Sequence, residues 1–308
     1  MQVESNAIES EVRGLSLGEF LLSLLLRVIP IKHGKHRLLD IISPKAWSRS
    51  VMSVTFSFKR YKVFINPNDL VGWHFLVLRS FDPEVTEVLE KACDPRVKEI
   101  FWDIGANKGA CFCSLATRLP LLSVVAIEPQ GKLLENNIRN LESICPDRYE
   151  YVRAGVGEEE AYLTLVIPDA NLGKASLHIQ RRGSNDEAEV IKIQTASQIV
   201  DNSRFGWPTI IKIDVEGHES QVFKSLQPCI DSKVCKIIVF ENHESEVEAF
   251  ETIKSIIEPN GYKIYGICKS LWATKLVRAR EQLVGVTDYA VIRENLLIEN
   301  KRLKKIHK

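Results

Sequence analysis

Phe101-Trp102-Asp103-Ile104-Gly105-Ala106-Asn107-Lys108-Gly109 is the stretch whose reading decides the fold: an apolar strand runs into a glycine-containing turn, and residues 108–119 continue with a helical pattern. Glycines in such a turn let the backbone approach a ligand closely, while the helix that follows presents unpaired N–H groups and the positive end of its dipole. A nucleotide-like ligand suits that geometry. The next apolar run, residues 122–127, ends in Glu128, 23 residues after Gly105. An acidic side chain about 20 residues past the turn sits on the neighbouring strand, placed to accept hydrogen bonds from a ribose diol. Together the two signals specify an adenosine-containing cofactor. The dinucleotide fingerprint G-x-G-x-x-G fails, because Asn107 stands where its second glycine belongs.

Working outward, short β-rich runs alternate with helical patterns from Val97 onward, the signature of a parallel sheet covered by helices. Strands are expected at residues 99–104, 122–128, 150–155, 209–214, 235–241, 262–267 and 286–292, seven in all. Leu133, Leu134, Asn137, Ile138 and Leu141 form a stripe at helical spacing between the second and third, and crossover helices make the strands parallel. The fold class is therefore α/β, a Rossmann-like, seven-stranded doubly wound sheet. Alternating segments at residues 161–167 and 189–194 read as an inserted hairpin beside the site, around the polar stretch 181–187.

Residues 1–95 form an N-terminal extension: a Leu-rich helix near residues 15–28, a strand pair at residues 54–65 closed by Asn66-Pro67-Asn68-Asp69, and a lead-in helix at residues 83–92. Residues 96–295 form the cofactor-binding domain. Residues 296–308 form a basic tail whose ordinary meaning is a solvated, frayed terminus.

The 308 residues are 45% hydrophobic and 26% charged, which excludes disordered, collagen-like and coiled-coil classes. Lys plus Arg number 41 against 40 Asp plus Glu, so no global field points to nucleic acid. Seven cysteines without a C-x-x-C pair argue against a disulfide framework or zinc site and for a reducing compartment. The apolar run 20–31 contains Arg27 and Pro30 and is too short to span a bilayer, and Glu4, Glu9, Glu11 and Glu19 occupy the place of a signal peptide's positive region. A cytoplasmic location is expected.

A third signal is Ile210-Ile211-Lys212-Ile213-Asp214-Val215-Glu216-Gly217-His218-Glu219, an apolar strand ending in ionisable groups. Ligands of open parallel sheets bind beyond the carboxyl ends of the strands, so these groups share a crevice with the glycine turn. Glu241-Asn242-His243-Glu244 adds polar groups to the same rim. Glu219 has a plainer reading as a favourable charge in the first turn of a helix.

D-I-G-A-N-K-G at Asp103 to Gly109, A-I-E-P at Ala126 to Pro129 and I-K-I-D-V-E-G-H-E at Ile211 to Glu219 resemble the FkbM family of S-adenosylmethionine-dependent methyltransferases. The resemblance covers about residues 60–293, with lesser echoes at Ser80-Phe81-Asp82-Pro83-Glu84, Gly173-Lys174-Ala175-Ser176-Leu177 and Asp288-Tyr289-Ala290. It implies a class I methyltransferase fold with one antiparallel strand near the C-terminus, S-adenosyl-L-methionine as cofactor, and methylation of an oxygen on a sugar or natural product. It also implies cofactor binding by Asp103, Gly105, Ala106, Asn107, Gly109, Glu128 and Pro129. Residues 152–157, Val-Arg-Ala-Gly-Val-Gly, depart from the polar contact expected near the adenine.

A hydroxyl acceptor must lose a proton, which makes Asp214 or His218 the candidate general base and Glu216, with Glu241, the shaper of the acceptor pocket. The partner is then a small molecule or glycan, with acceptor contacts from residues 170–187 and 270–281. Three other readings stay open. One is a divalent ion held by Asp214, Glu241 and Asn242, although no metal is the primary expectation. The second is a nicotinamide oxidoreductase, disfavoured by Asn107. The third is a non-catalytic binding module on the same fold.

Overall fold

Alternation along the strand Ile100–Ile104 sets the two faces of the central sheet: Phe101 enters one hydrophobic cluster, while Trp102 and Ile104 enter another on the opposite side. The computed structural model describes residues 12–42, 53–67, 70–167 and 187–307. Asn68 and Asp69 of the proposed turn, the motif echo at 173–177 and most of the loop 170–187 lie outside the described residues.

Edge to edge, the main sheet runs Thr274–Arg278, Tyr262–Lys269, Asp288–Arg293, Ile237–Glu241, Ile210–Ile213, Ile100–Ile104, Ser123–Ile127, Tyr149–Val152. The last five of these pair in parallel, and Asp288–Arg293 is antiparallel to both of its neighbours. This is the class I methyltransferase order with its antiparallel strand near the C-terminus, as expected. The count differs: an eighth strand, Thr274–Arg278, adds to the Tyr262–Lys269 edge. Its five residues include Lys275 and Arg278 and carry too little apolar signal to read as a strand.

From Ile100–Ile104 the chain builds outward to Tyr149–Val152, then returns to the other side at Ile210–Ile213. The order therefore reverses between Ile100–Ile104 and Ile210–Ile213, where doubly wound sheets open a crevice. The predicted hairpin is present as Ala161–Ile167 paired with Glu187–Gln194, and Gly155–Val156 joins it to make a separate small sheet.

The N-terminal elements cover one face of the main sheet. Helix Leu17–Val28, its Ser16 cap bonded reciprocally to Glu19, lies on helix Leu70–Leu78, and the strands Ser53–Phe58 and Tyr61–Ile65 pair antiparallel beside helix Leu134–Ile144. Leu26, Leu39, Val54 and Phe75 thus share one buried cluster with Phe101, Val124 and Ile210. The basic tail is not frayed. Lys301–Lys304 is helical, Leu303 is fully buried, and Asn300 donates to the carbonyls of Lys91 (2.9 Å) and Ala92 (3.2 Å) while Arg302 donates to that of Cys93. Apolar Leu303 and Ile306, spaced one turn apart among the lysines, tie it to the core. Among the described residues no helix is long and apolar enough to cross a membrane.

Candidate active site

The glycine turn is held by its neighbours' backbone. Gly105 and Ala106 both donate to the carbonyl of Ile127, at 2.9 and 3.1 Å. Gly105 has φ +74°, and a Cβ there would lie 1.8 Å from the carbonyl oxygen of Asp214, so only glycine lets the two strand ends come this close. Asp103, with no exposed surface, accepts from the N–H of Phe112 at 3.1 Å and faces Lys212 at 3.8 Å, which fastens the strand to the start of helix Ala110–Ala116. Burial pushes its carboxyl up to about 6 against the pull of Lys212.

Glu128 ends the Ser123–Ile127 strand and receives the N–H of Asn107 at 2.8 Å on one oxygen and that of Gln130 at 2.9 Å on the other. Each oxygen keeps a further acceptor site for a hydroxyl. Burial pushes this carboxyl up to about 7 despite the two N–H donors.

Two pockets open from here. The first encloses about 630 Å3, part of it open to solvent. Gly105, Asn107, Glu128 and Pro129 form one end, and Ala154, Val156, Leu165, Ile191 and Ile193 form an apolar slot at the other. Arg153 turns away from that slot to pair with Glu189 at 2.6 Å, and Glu189 also meets the N–H of Gly131, tying the hairpin to the turn. The residues fit an adenosine-containing cofactor: an apolar slot for a base, a carboxylate with spare acceptor sites for a ribose, and a backbone cradle. The Oδ1 of Asn107 is buried there without a hydrogen-bond partner among the described residues.

The second pocket, about 990 Å3, is ringed by Asp82, Asp214, Glu216, Glu241 and Asp288, with Lys212 and Lys269 as its cations. Asn107, Asp214 and Glu216 line both pockets and form the seam between them. Lys212 lies 3.0 Å from Asp214 and 3.2 Å from the carbonyl of Gly105, so one buried ammonium fixes both ends of the seam. Although burial works against it, Asp214 and Asp103 hold that ammonium above its ordinary range. Burial, then Asp214 and Asp288, push Glu241 up to about 9, and Asp288 reaches about 6 for want of water. Burial, then Asp288 and Glu84, raise Asp82 well above the usual carboxylate range. Asp82, Asn107 and Glu216 have φ of 46°, 48° and 53°, left-handed conformations that cost about 1–3 kcal/mol each and collect where function demands them.

Of the residues predicted from sequence, Gly105, Asn107, Glu128 and Pro129 line the first pocket, whereas Asp103, Ala106 and Gly109 line neither and build the turn instead. His218 lines only the first pocket; Asp214 and Glu216 line both. Glu219 accepts from Val215 and Gly217 N–H groups at 3.1 and 3.0 Å, so it shapes the loop and not merely a helix start. Asp214, Glu216 and Glu241 each bring an oxygen within 4.8 Å of the others, a spacing that suits a divalent ion. The amide nitrogen of Asn242 donates to the carbonyls of His243 and Glu246, at 3.3 and 3.4 Å, while its Oδ1 is buried without a hydrogen-bond partner among the described residues.

Leu165, Ile191 and Ile193 belong to the hairpin that sequence reading places beside the site, although it singles out none of them as pocket residues. It also missed Asp82, Lys269 and Asp288 as pocket groups, although Asp82 and Asp288 stand in two of the three lesser motif echoes. The loop 270–281 does not line the acceptor side: Trp272 is 64% exposed, and Arg278 bonds the carbonyl of Ile264 and Glu258.

Comparison with known proteins yields three findings. The family model described as Methyltransferase FkbM domain matches residues 103–264, more than half of the chain. The hexuronic acid methyltransferase AglP of Haloferax volcanii is 26% identical over 177 residues, covering 56% of this chain and 66% of that protein, just under two thirds of its length. Among solved structures, the precorrin-6y C5,15-methyltransferase of Geobacter metallireducens is 12% identical, with 68% of this chain and 89% of that chain covered and a TM-score of 0.37. TYW2 of M. jannaschii in complex with AdoMet is 14% identical, with coverage of 78% and 84% and a TM-score of 0.38.

Proposed function

The chain belongs to the FkbM methyltransferase family and its cofactor is S-adenosylmethionine; from that premise we propose that it methylates a hydroxyl oxygen of a sugar. The observation that carries this reading is the seam, where Asp214 stands between a pocket fitted to the cofactor and a carboxylate-ringed pocket large enough for a saccharide. A polyhydroxylated acceptor can donate hydrogen bonds to Asp82, Glu241 and Asp288 all round, and the hexuronic acid methyltransferase relative supports a sugar.

When bound, S-adenosylmethionine supplies an electrophilic methyl group on a sulfonium sulfur. The residues of this chain do the rest. Glu128 takes the ribose hydroxyls, the 105–107 backbone cradles the polar end, and Leu165, Ile191 and Ile193 exclude water from the base. Asp214 would take the proton of the acceptor hydroxyl, leaving the hydroxyl oxygen free to receive the methyl group that the cofactor would supply. Lys212, 3.0 Å away, keeps that carboxylate aimed into the seam. His218, confined to the cofactor side, orients rather than deprotonates.

Asp214→Asn is expected to lower kcat about 10²–10⁴-fold while S-adenosylhomocysteine affinity stays within a few-fold, and His218→Ala is expected to affect that affinity more than turnover. Turnover unchanged by Asp214→Asn, on a sugar acceptor that the wild type methylates, would sink the assignment. A second reading rests on the Asp214, Glu216, Glu241 trio: an ion there polarises the hydroxyl and lowers its pKa. Loss of turnover with a chelator, restored by magnesium, selects it.

A further inference from the structure

Beyond Asp82 the acceptor pocket adjoins a third, partly open chamber, about 950 Å3 with the open solvent counted, sharing Leu70, Phe81, Asp82 and Lys269 with it. Its far wall is built by the N-terminal extension, through the segment from Lys32 to His36, and by His74 of helix Leu70–Leu78. The chemistry changes sign along this path. The seam end is crowded with carboxylates, whereas the far end presents lysine and histidine.

The acids near the far end already have partners. Glu84 lies 3.3 Å from His33 and bonds Lys269, Asp40 bonds His74 at 2.8 Å, and Glu87 bonds Lys32 and lies 3.5 Å from Lys91. Two basic groups of this pocket, Lys35 and His36, have no acid in hydrogen-bonding or ion-pair contact among the described residues. The Lys35 ammonium reaches only the carbonyl of Arg27, at 3.4 Å, and His36 makes no hydrogen bond, its ring lying 6.0 Å from that of His74. Arg27 stands close enough to both Lys35 and Arg79 to disfavour their charged forms, adding to the larger effect of burial. His36 in turn feels burial first, then His74 and Lys269 as like charges, with Glu84 opposing them. Asp82 and Glu84 also line the pocket, but Glu84 is engaged by His33 and Lys269, so the like-charge repulsion at Lys35 and His36 is only partly offset and a bound anion would relieve it.

We propose that this chamber is a subsite for an anionic group, a phosphate ester or a carboxylate, carried by the acceptor next to the sugar that is methylated. Lys35 and His36 hold the anion, with His74 and Lys269 flanking it, so the acceptor lies with hydroxyls toward Asp214 and charge toward the N-terminal extension. The word acceptor rests on the methyltransferase reading; the anion site itself does not.

The test is direct binding to the full chain without cofactor. Protein labelled at histidine with 15N is titrated with inorganic phosphate, glucose 1-phosphate, glucuronate and glucose, following the His36 and His74 imidazole signals by NMR. Saturable shifts with glucose 1-phosphate and phosphate, absent with glucose, are expected, together with at least tenfold weaker binding in Lys35→Gln/His36→Gln and in Lys35→Glu alone. Stronger binding of glucuronate than of glucose 1-phosphate selects the carboxylate source. Equal affinity in wild type and variants, or no shift with any anion, overturns the subsite. S-adenosylhomocysteine is titrated into the same variants, and unchanged affinity certifies the fold. Anion binding in a protein that methylates no sugar would leave the subsite standing and remove the sugar reading, and the converse result would do the opposite.

Discussion

Gly105→Ala adds one methyl group at the turn where the two pockets meet. The new Cβ would sit 1.8 Å from the carbonyl oxygen of Asp214 and 2.8 Å from its carbonyl carbon, whereas ordinary contact begins near 3.4 Å. Both are backbone atoms, so no side chain can swing aside, and the turn must part from the Asp214 loop by more than an ångström. The left-handed φ of +74° costs alanine about 1–2 kcal/mol, and forced overpacking costs about 1–3 kcal/mol more. The total, about 2–5 kcal/mol, is a large share of the roughly 5–15 kcal/mol that stabilises a domain. Gly261→Ala is the matched control, because Gly261 has φ +80° but nothing within 4 Å of a built Cβ, which leaves only the first cost. At roughly 2–4 °C per kcal/mol, Gly105→Ala should melt about 4–20 °C lower than wild type and Gly261→Ala about 2–8 °C lower. Misplacing Asp214 by an ångström should further reduce methyl transfer about 100-fold, and binding of S-adenosylhomocysteine by calorimetry should fall with it. If both variants melt together and Gly105→Ala binds as wild type does, the close approach of turn and strand end is not what shapes the site.

Glu128→Ala should weaken S-adenosylhomocysteine at least tenfold in calorimetry, and adding that ligand should no longer raise the melting temperature; undiminished affinity would dissociate Glu128 from the cofactor. Glu128 and Glu219 titrate at about 7 and Glu241 at about 9, all above their unfolded value of 4.5, so the folded state holds protons that the unfolded chain has released. The unliganded protein should therefore lose stability as pH rises from about 6.5 to 8.5, chiefly through Glu241 because Glu128 and Glu219 complete their share by about pH 7, in a window above the lowered titrations of His33 and His36, whose effect has the opposite sign. A melting temperature that climbs across that window contradicts the assignment. Cofactor affinity should rise over the same range, since an ionised Glu128 is the better acceptor for ribose hydroxyls. Asn300→Ala should cost about 2–3 kcal/mol, because it removes the cap on the N–H groups of Arg302 and Leu303 and orphans two carbonyls. Thermal melts should drop while S-adenosylhomocysteine affinity holds.

The parts of this fold that sequence discloses are those that local chemistry alone decides. Residues 100–104 alternate because a strand has two faces, Gly105 is glycine because the backbone there is left-handed and crowded, and Glu128 ends the adjacent strand at the expected interval. What sequence hides depends on contacts made at long range. Lys212 reads as a lone charge inside the apolar run 210–213, with no role assigned to it, yet tertiary structure buries it between Asp103 and Asp214. Asp82 lies more than 100 residues from Asp214, and only the packing of helix Pro83–Ala92 against the sheet brings both to one pocket. The eighth strand is an edge that needs only one partner, so Thr274–Arg278 forms without an apolar pattern of its own. The tail misleads for the opposite reason: its lysines speak of solvent, while Leu303 and Ile306 between them reach the core.

Asn107, Asp214 and Glu216 belong to both pockets, and that shared membership couples the two binding events thermodynamically. Whatever the first ligand does to the conformation of these three side chains changes the free energy with which the second arrives, and linkage makes the change equal in the other direction. An acceptor that tightens cofactor binding must itself be tightened by cofactor, by the same factor. Two of the three residues, Asn107 and Glu216, are held in left-handed backbone conformations, so each ligand also shares in relieving or sustaining a common strain. A saturating acceptor analogue should thus alter the dissociation constant of S-adenosylhomocysteine without touching it, so that the proposed seam would order the two binding events as well as host the methyl transfer.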